Sequence, residues 1–153
     1  MFRALTDLLD SLSAPTAQPA AQITVELATA VLLVEVMRAD TDSKPAERSL
    51  IRDALQRRFS LAPEQVEQLL AVAERKSREA NDFFAFTSLL NEQLGQAQKI
   101  EVVETMWQLA YADGNDDPWE RNILSRVAGL LHVTHGEYIA AKLRARQATG
   151  LGP

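Results

Sequence analysis

Asp40-Thr41-Asp42-Ser43-Lys44-Pro45-Ala46-Glu47-Arg48 is echoed later in the chain by Asp113-Gly114-Asn115-Asp116-Asp117-Pro118-Trp119-Glu120-Arg121. One offset of 73 residues relates Asp40 to Asp113, Pro45 to Pro118 and Glu47 to Glu120. Each copy is entered by an apolar run ending in Ala-Asp, and each leads into a segment opened by proline, the residue best tolerated in a helix's first turn. An internal repeat decides the architecture before any single element does. The expectation is an all-α, compact bundle of about seven to eight helices with an internal pseudo-twofold repeat.

Working outward, the run Ala20–Ala39 is apolar on most sides, as a buried helix is. Ile51, Ala54, Leu55 and Phe59 form the stripe of the next helix. Pro63 opens a helix to about Ala80 with Val66, Leu69, Leu70 and Ala73 facing inward, and residues 83–94 form another. In the second half, Ile100, Val103, Met106, Trp107 and Ala110 line a buried helix. Asp117-Pro118-Trp119-Glu120 and Thr134-His135-Gly136-Glu137 both carry helix-start signatures, with an acid three residues after the cap. The last helix should run to about Arg146. Phe2, Leu5, Leu8, Leu9 and Leu12 give a short amphipathic helix ahead of a linker. The domain reading is therefore residues 1–19 as helix and linker, 20–146 as the helical domain, and 147–153 as a frayed tail.

The 153 residues suffice for one core, and 46% hydrophobic with 24% charged is a globular composition. A net charge of −5 disfavours nucleic acid, which needs a basic face. With no cysteine, disulfides, thiolate metal sites and thiol nucleophiles are excluded. No apolar run is long enough for a transmembrane segment, and Asp7 and Asp10 interrupt any signal-peptide core. A cytoplasmic location follows as an expectation. The same aspartates weigh against an anionic-lipid anchor, leaving peripheral membrane contact as the lesser alternative.

The repeated loops carry the candidate site. Asp113, Asn115 and Asp117 stand at alternate positions as in an EF-hand, but Pro118 replaces the required glycine and Leu124 the bidentate glutamate. Hard-cation chemistry survives that mismatch. Asp113, Asn115, Asp117 and Glu120 could converge on calcium, magnesium or manganese, with Asp40, Asp42 and Glu47 as the counterpart set. The second loop should bind better: residues 113–120 carry a formal −4, whereas Lys44 reduces residues 40–47 to −2. The competing explanation is helix capping, which uses the same residue types. Glu35, alone in an apolar helix, should pair with Arg48 or Arg52, or else serve as a further ligand or acid. His132 and His135 straddle a turn and are read as a surface pair. Trp119 is read as a core plug, with a partly exposed contact residue as the alternative. Glu67, Glu74 and Glu79 beside Arg75, Lys76 and Arg78 are read as a solvated face. No phosphate loop, nucleophile elbow or zinc-protease helix occurs, so no catalytic residue is nominated.

Leu33-Val34-Glu35-Val36, Ala39-Asp40, Phe59-Ser60-Leu61 and Trp107-Gln108-Leu109-Ala110-Tyr111-Ala112-Asp113-Gly114 resemble the tellurite-resistance protein B (TerB) family, from about Ala20 to Arg146. Thr41 departs from the family's usual glycine. The resemblance implies a helical bundle, bacterial origin, a link to tellurite or stress response, and a proposed divalent-metal role. The leading expectation is a non-enzymatic adaptor or sensor with a protein partner and a divalent cation on the acidic loops. The alternatives are a ligand-free interaction domain whose loops are caps, and a metal-dependent hydrolase using Glu35 or Glu120 as base. Tellurite, an oxyanion, should be repelled by acidic loops.

Overall fold

A computed structural model of the chain describes residues 23–39, 45–112 and 118–149. Among them are seven helices and no strand: α1 (Val25–Ala39), α2 (Pro45–Phe59), α3 (Pro63–Glu79), α4 (Phe84–Gln93), α5 (Gln96–Tyr111), α6 (Pro118–Leu130) and α7 (His135–Ala148). The all-α expectation holds. The helix expected over 2–12, the linker after it and the last residues of the tail lie outside the described residues.

α1 is the axis. Leu27 to Val34 are all buried, as are Val36 and Met37. A helix apolar all round must be surrounded, and α2, α3, α4, α5 and α6 all pack on α1. α5 plays a similar part in the second half, packing on α7, α1, α6 and α2. The core joins Leu27, Leu32 and Leu33 of α1 to Leu55, Leu69, Leu70, Leu90, Met106 and Leu124. Trp107, buried as expected, stacks on Tyr111 at 5.5 Å and meets Tyr138 of α7 at 5.4 Å, with the Lys142 ammonium 5.2 Å over its ring.

The helix boundaries have local causes. α1 starts at Val25 rather than in the expected region of Ala20, because Thr24 caps it: its Oγ1 accepts from Leu27 N–H at 3.1 Å. Pro45, Pro63 and Pro118 each occupy a first helical position, as the sequence predicts. Before α3 and α5, a third-position glutamine reaches back to a free N–H: Gln65 accepts from Ala62 and Gln98 from Gly95. Thr134 and Glu137 complete a reciprocal capping box on α7, at 3.2 and 2.9 Å. α7 runs to Ala148, so Gln147 is helical rather than part of a frayed tail. α6 ends in a Schellman motif. His132, at φ 59°, takes the left-handed position, while its N–H bonds to Gly129 and Val133 N–H bonds back to Ala128 at 3.0 Å.

A polar network that the sequence reading missed ties the halves together. Lys99, a buried lysine of α5, donates to Asn91 Oδ1 at 3.1 Å. Asn91 in turn donates to the Leu130 carbonyl at the end of α6. Gln96 reaches both the His132 carbonyl and the Glu137 carboxylate. The α4–α5 corner thus satisfies polar groups left open at the α6–α7 corner.

Candidate functional site

Both acidic junctions sit between an axial helix and a proline-started one: α1 and α2 for the first, α5 and α6 for the second. Asp40, Asp42, Asp113, Asn115 and Asp117 fall outside the described residues. Glu47 and Glu120 fall within them, in the first turns of α2 and α6, and each is only 1% exposed. The structure therefore places one carboxylate per junction in the protein interior. A first-turn acid that only offset the helix dipole could remain in water. Removing a carboxylate from water is costly unless its oxygens are engaged, and both carboxylates do have interaction partners. α2 and α6 each pack on both α1 and α5, so the same two axial helices support both carboxylates.

The other nominated residues sort differently. Glu35 pairs with neither Arg48 nor Arg52. It lies 3.4 Å from Arg38 on its own helix and accepts from the Ser77 hydroxyl, which itself accepts from Arg38 at 2.7 Å. The reason is competition: Arg48 is engaged by Glu74 and Glu67, and Arg52 by Glu67. Glu67 and Glu74 are thus cross-helix partners that clamp α3 to α2, not simply a solvated face. Their half-exposed setting makes each pair worth about 1 kcal/mol or less. Trp119 is not a core plug. It is 71% exposed, because the burial of Glu120 beside it turns the Trp119 position outward. His132 and His135 are exposed on either side of the α6–α7 turn, as expected of a surface pair.

Among the described residues no three His, Asp or Glu side chains form a metal-sized cluster, and no helix is long and apolar enough to cross a membrane. Glu47 and Glu120 are oxygen donors of the kind a hard cation takes. The remaining donors nominated from sequence belong to the loops outside the described residues.

The family model described as "Tellurite resistance protein TerB" matches residues 26–143, most of the chain and both junctions. This chain belongs to the TerB family. No curated protein and no solved structure matches it. The match starts one residue into α1 and ends within α7, so the TerB unit coincides with the helical bundle.

The structure also holds a cavity that no sequence motif marks. A cavity of about 260 Å³ opens between α1, α2 and α5, floored by Leu33, Leu55 and Val102 and bordered by Thr29, Arg57 and Glu104. A wider groove of about 490 Å³ continues from it past Asp53, Gln56 and Thr149, with Arg57 and Gln108 common to both. Arg58, also at the cavity, donates to the Gln98 carbonyl at 2.9 Å and lies 3.3 Å from Glu101. Burial lowers its pKa from the ordinary arginine value, against the raising effect of Glu101. Sequence gave no signal here, because the lining comes from three helices spread over some eighty residues.

Proposed function

We propose that this TerB-family chain is a non-enzymatic adaptor or sensor of tellurite or stress response that takes a divalent cation at its acidic helix junctions. The observation that carries the proposal is the burial of Glu47 and Glu120 at matching positions 73 residues apart. Two interior carboxylates, each next to a loop with two or more aspartates, are a donor set for calcium, magnesium or manganese. A cation would supply the positive charge that offsets the crowded carboxylates of residues 113–120. Glu120 would be the interior ligand of the second junction, with Asp113, Asn115 and Asp117 as its loop partners. Glu47, Asp40 and Asp42 would form the weaker first junction.

Exposed Trp119 supports the adaptor half of the proposal. An aromatic side chain in water beside an acidic loop is a natural anchor for a protein partner, since tryptophan is enriched at binding hot spots. A metal-dependent hydrolase would need a reacting pocket over the carboxylates. The two cavities described above are lined by neither Glu47 nor Glu120.

Calorimetric titration of chelator-treated protein with calcium, magnesium and manganese tests the cation. Saturable heat with at least one ion, lost in Asp113→Asn combined with Glu120→Gln and largely kept in Asp40→Asn, is the expected outcome. Absence of heat with all three ions would leave the loops as caps and the chain as a ligand-free interaction domain.

A further inference from the structure

Among the described residues, three large apolar side chains stand exposed: Phe84, Trp119 and Leu143. Two of them belong to one face. Trp119, Ile123 and Arg126 follow i, i+4, i+7 spacing on α6, so they point the same way. Phe84 and Asn91, seven residues apart, likewise share a face of α4. Asn91 donates to the Leu130 carbonyl at 2.9 Å, and the Arg126 guanidinium lies 5.6 Å over the Phe83 ring. These two contacts run α4 and α6 side by side in one direction. The offset of 39 between Asn91 and Leu130 then brings Phe84 level with Ile123, one turn from Trp119. Phe84 is 66% and Trp119 71% exposed, with half-buried Ile123 beside them and exposed Arg126 at the edge. Grouped apolar exposure of this kind marks a surface that something covers. Leu143, by contrast, stands between Lys142 and Arg144 with no other large apolar side chain exposed on α7.

The chain carries an occupant of matching chemistry. Phe2, Leu5, Leu8, Leu9 and Leu12 recur at helical spacing. Such a stripe is stabilised only against a second apolar surface. The charges agree in sign. Arg3 against Asp7 and Asp10 leaves that segment at −1, whereas the exposed charged residues of α6, Arg121 and Arg126, are both positive. Arg126 makes no ion pair among the described residues. The reach is sufficient. The ten residues 13–22 span up to about 33 Å when extended. α1, to which they lead, packs on both α4 and α6, and the 13 residues of α6 are only about 20 Å long.

We propose that residues 2–12 fold back as an amphipathic helix onto the α4–α6 face, laying their apolar stripe over Phe84, Ile123 and Trp119 and bringing their aspartates into the field of Arg126. The docking stands on this face and this segment alone. Its consequence rests on the adaptor reading: a partner anchored on Trp119 must first displace the segment, so the chain shields its own contact residue.

The chain has no cysteine, so Ser11→Cys places a single nitroxide on the polar side of the segment in the whole protein. Amide relaxation enhancement should be strongest around residues 84–89 and 119–126. Leu5→Glu combined with Leu8→Glu should reduce it about threefold or more, as should Phe84→Ser combined with Trp119→Ser. Leu143→Ser is the control and should leave it unchanged. Arg126→Glu should reduce it about twofold, the scale of an exposed charge pair, and adding Asp7→Lys and Asp10→Lys should restore it. Enhancement that is flat along the bundle, or that peaks elsewhere, overturns the proposal. So does enhancement that survives either double substitution on the apolar surfaces. Mixing isotope-labelled protein without nitroxide and unlabelled protein with it tests for a second copy; equal enhancement in that mixture overturns the intramolecular docking. Phosphatidylglycerol vesicles test for lipid: no enhancement without vesicles, and loss of the segment's amide signals on adding them, would assign the stripe to a membrane surface and overturn the proposal. Because the nitroxide reads docking with no partner present, loss of a partner in Trp119→Ala without any docking would leave the adaptor reading standing and this one overturned.

Discussion

At the scale of single residues, the two tryptophans have opposite fates. Trp107 is 2% exposed and contacts Tyr111, Tyr138 and Lys142. Trp107→Ala should cost about 3–5 kcal/mol, the usual range for emptying an aromatic site in a core. A denaturant midpoint that barely moves would show that α5 and α7 are held by something else. Trp119 is 71% exposed, so Trp119→Ala should change stability by about 0.5 kcal/mol or less. The same substitution should reduce recovery of a partner in pull-down from cells. The two residues flank the same junction, Trp107 before it and Trp119 after it. Only the position on the helix face separates them, and an isolated tryptophan in a first turn carries no such information.

At the scale of elements, the helix ends set the sensitive points. His132 holds a left-handed backbone at the end of α6 with its side chain exposed. His132→Gly should therefore stabilise the protein by about 0.5–1 kcal/mol, since glycine adopts that conformation without strain. The melting temperature reports it directly. At the start of α7, the Thr134 backbone N–H and then the Gln96 amide hold the Glu137 pKa below its ordinary value. A depressed carboxylate contributes stability above the unfolded pKa, and that contribution is lost as pH falls through the folded value. Glu137→Gln should therefore shrink the acid limb of a melting-temperature profile while leaving the neutral region nearly flat. On the same helix, burial raises the Tyr138 pKa, with Tyr111 adding to the effect. That contribution is present below the unfolded tyrosine value and is lost as pH rises beyond it, so Tyr138→Phe should soften the alkaline limb.

At the scale of the molecule, the pseudo-twofold expected from the repeated loop would relate α5, α6 and α7 to α1, α2 and α3, with α4 between them. The prolines that open α2 and α6 keep the 73-residue offset, while Pro63 and His135, which open α3 and α7, are 72 apart. The expected outcome of an experimental structure is that α1–α2 superposes on α5–α6, with the single-residue difference absorbed in the turn before α7. Unlike crossing angles in the two halves would falsify the pseudo-twofold. Cation binding belongs to this scale too, because it should stabilise the entire bundle. At a hundredfold excess over the dissociation constant, the gain is about 2.7 kcal/mol. Melting curves in chelator and in each ion should differ by several degrees; coincident curves would remove the cation from the proposed function.

Periodicity, proline placement and capping pairs settled the helical class and most helix starts. These depend on contacts within a turn or two: Pro63 at a first position, Thr134 with Glu137, Val66 with Leu69, Leu70 and Ala73. The equivalence of Glu47 and Glu120 was also legible, because a repeated motif preserves spacing. Tertiary structure alone decided three further matters: which arginine Glu35 pairs with, which side of α6 meets the core, and where a cavity remains. Arg48 and Arg52 turn toward Glu67 and Glu74 because α3 packs on α2, a fact of helix geometry rather than of the residues near Glu35. Thr29, Arg57 and Gln108 meet at one cavity because α1, α2 and α5 converge there. Local interactions act along the chain and leave a trace in its order; a cavity is bounded by distant segments and leaves none.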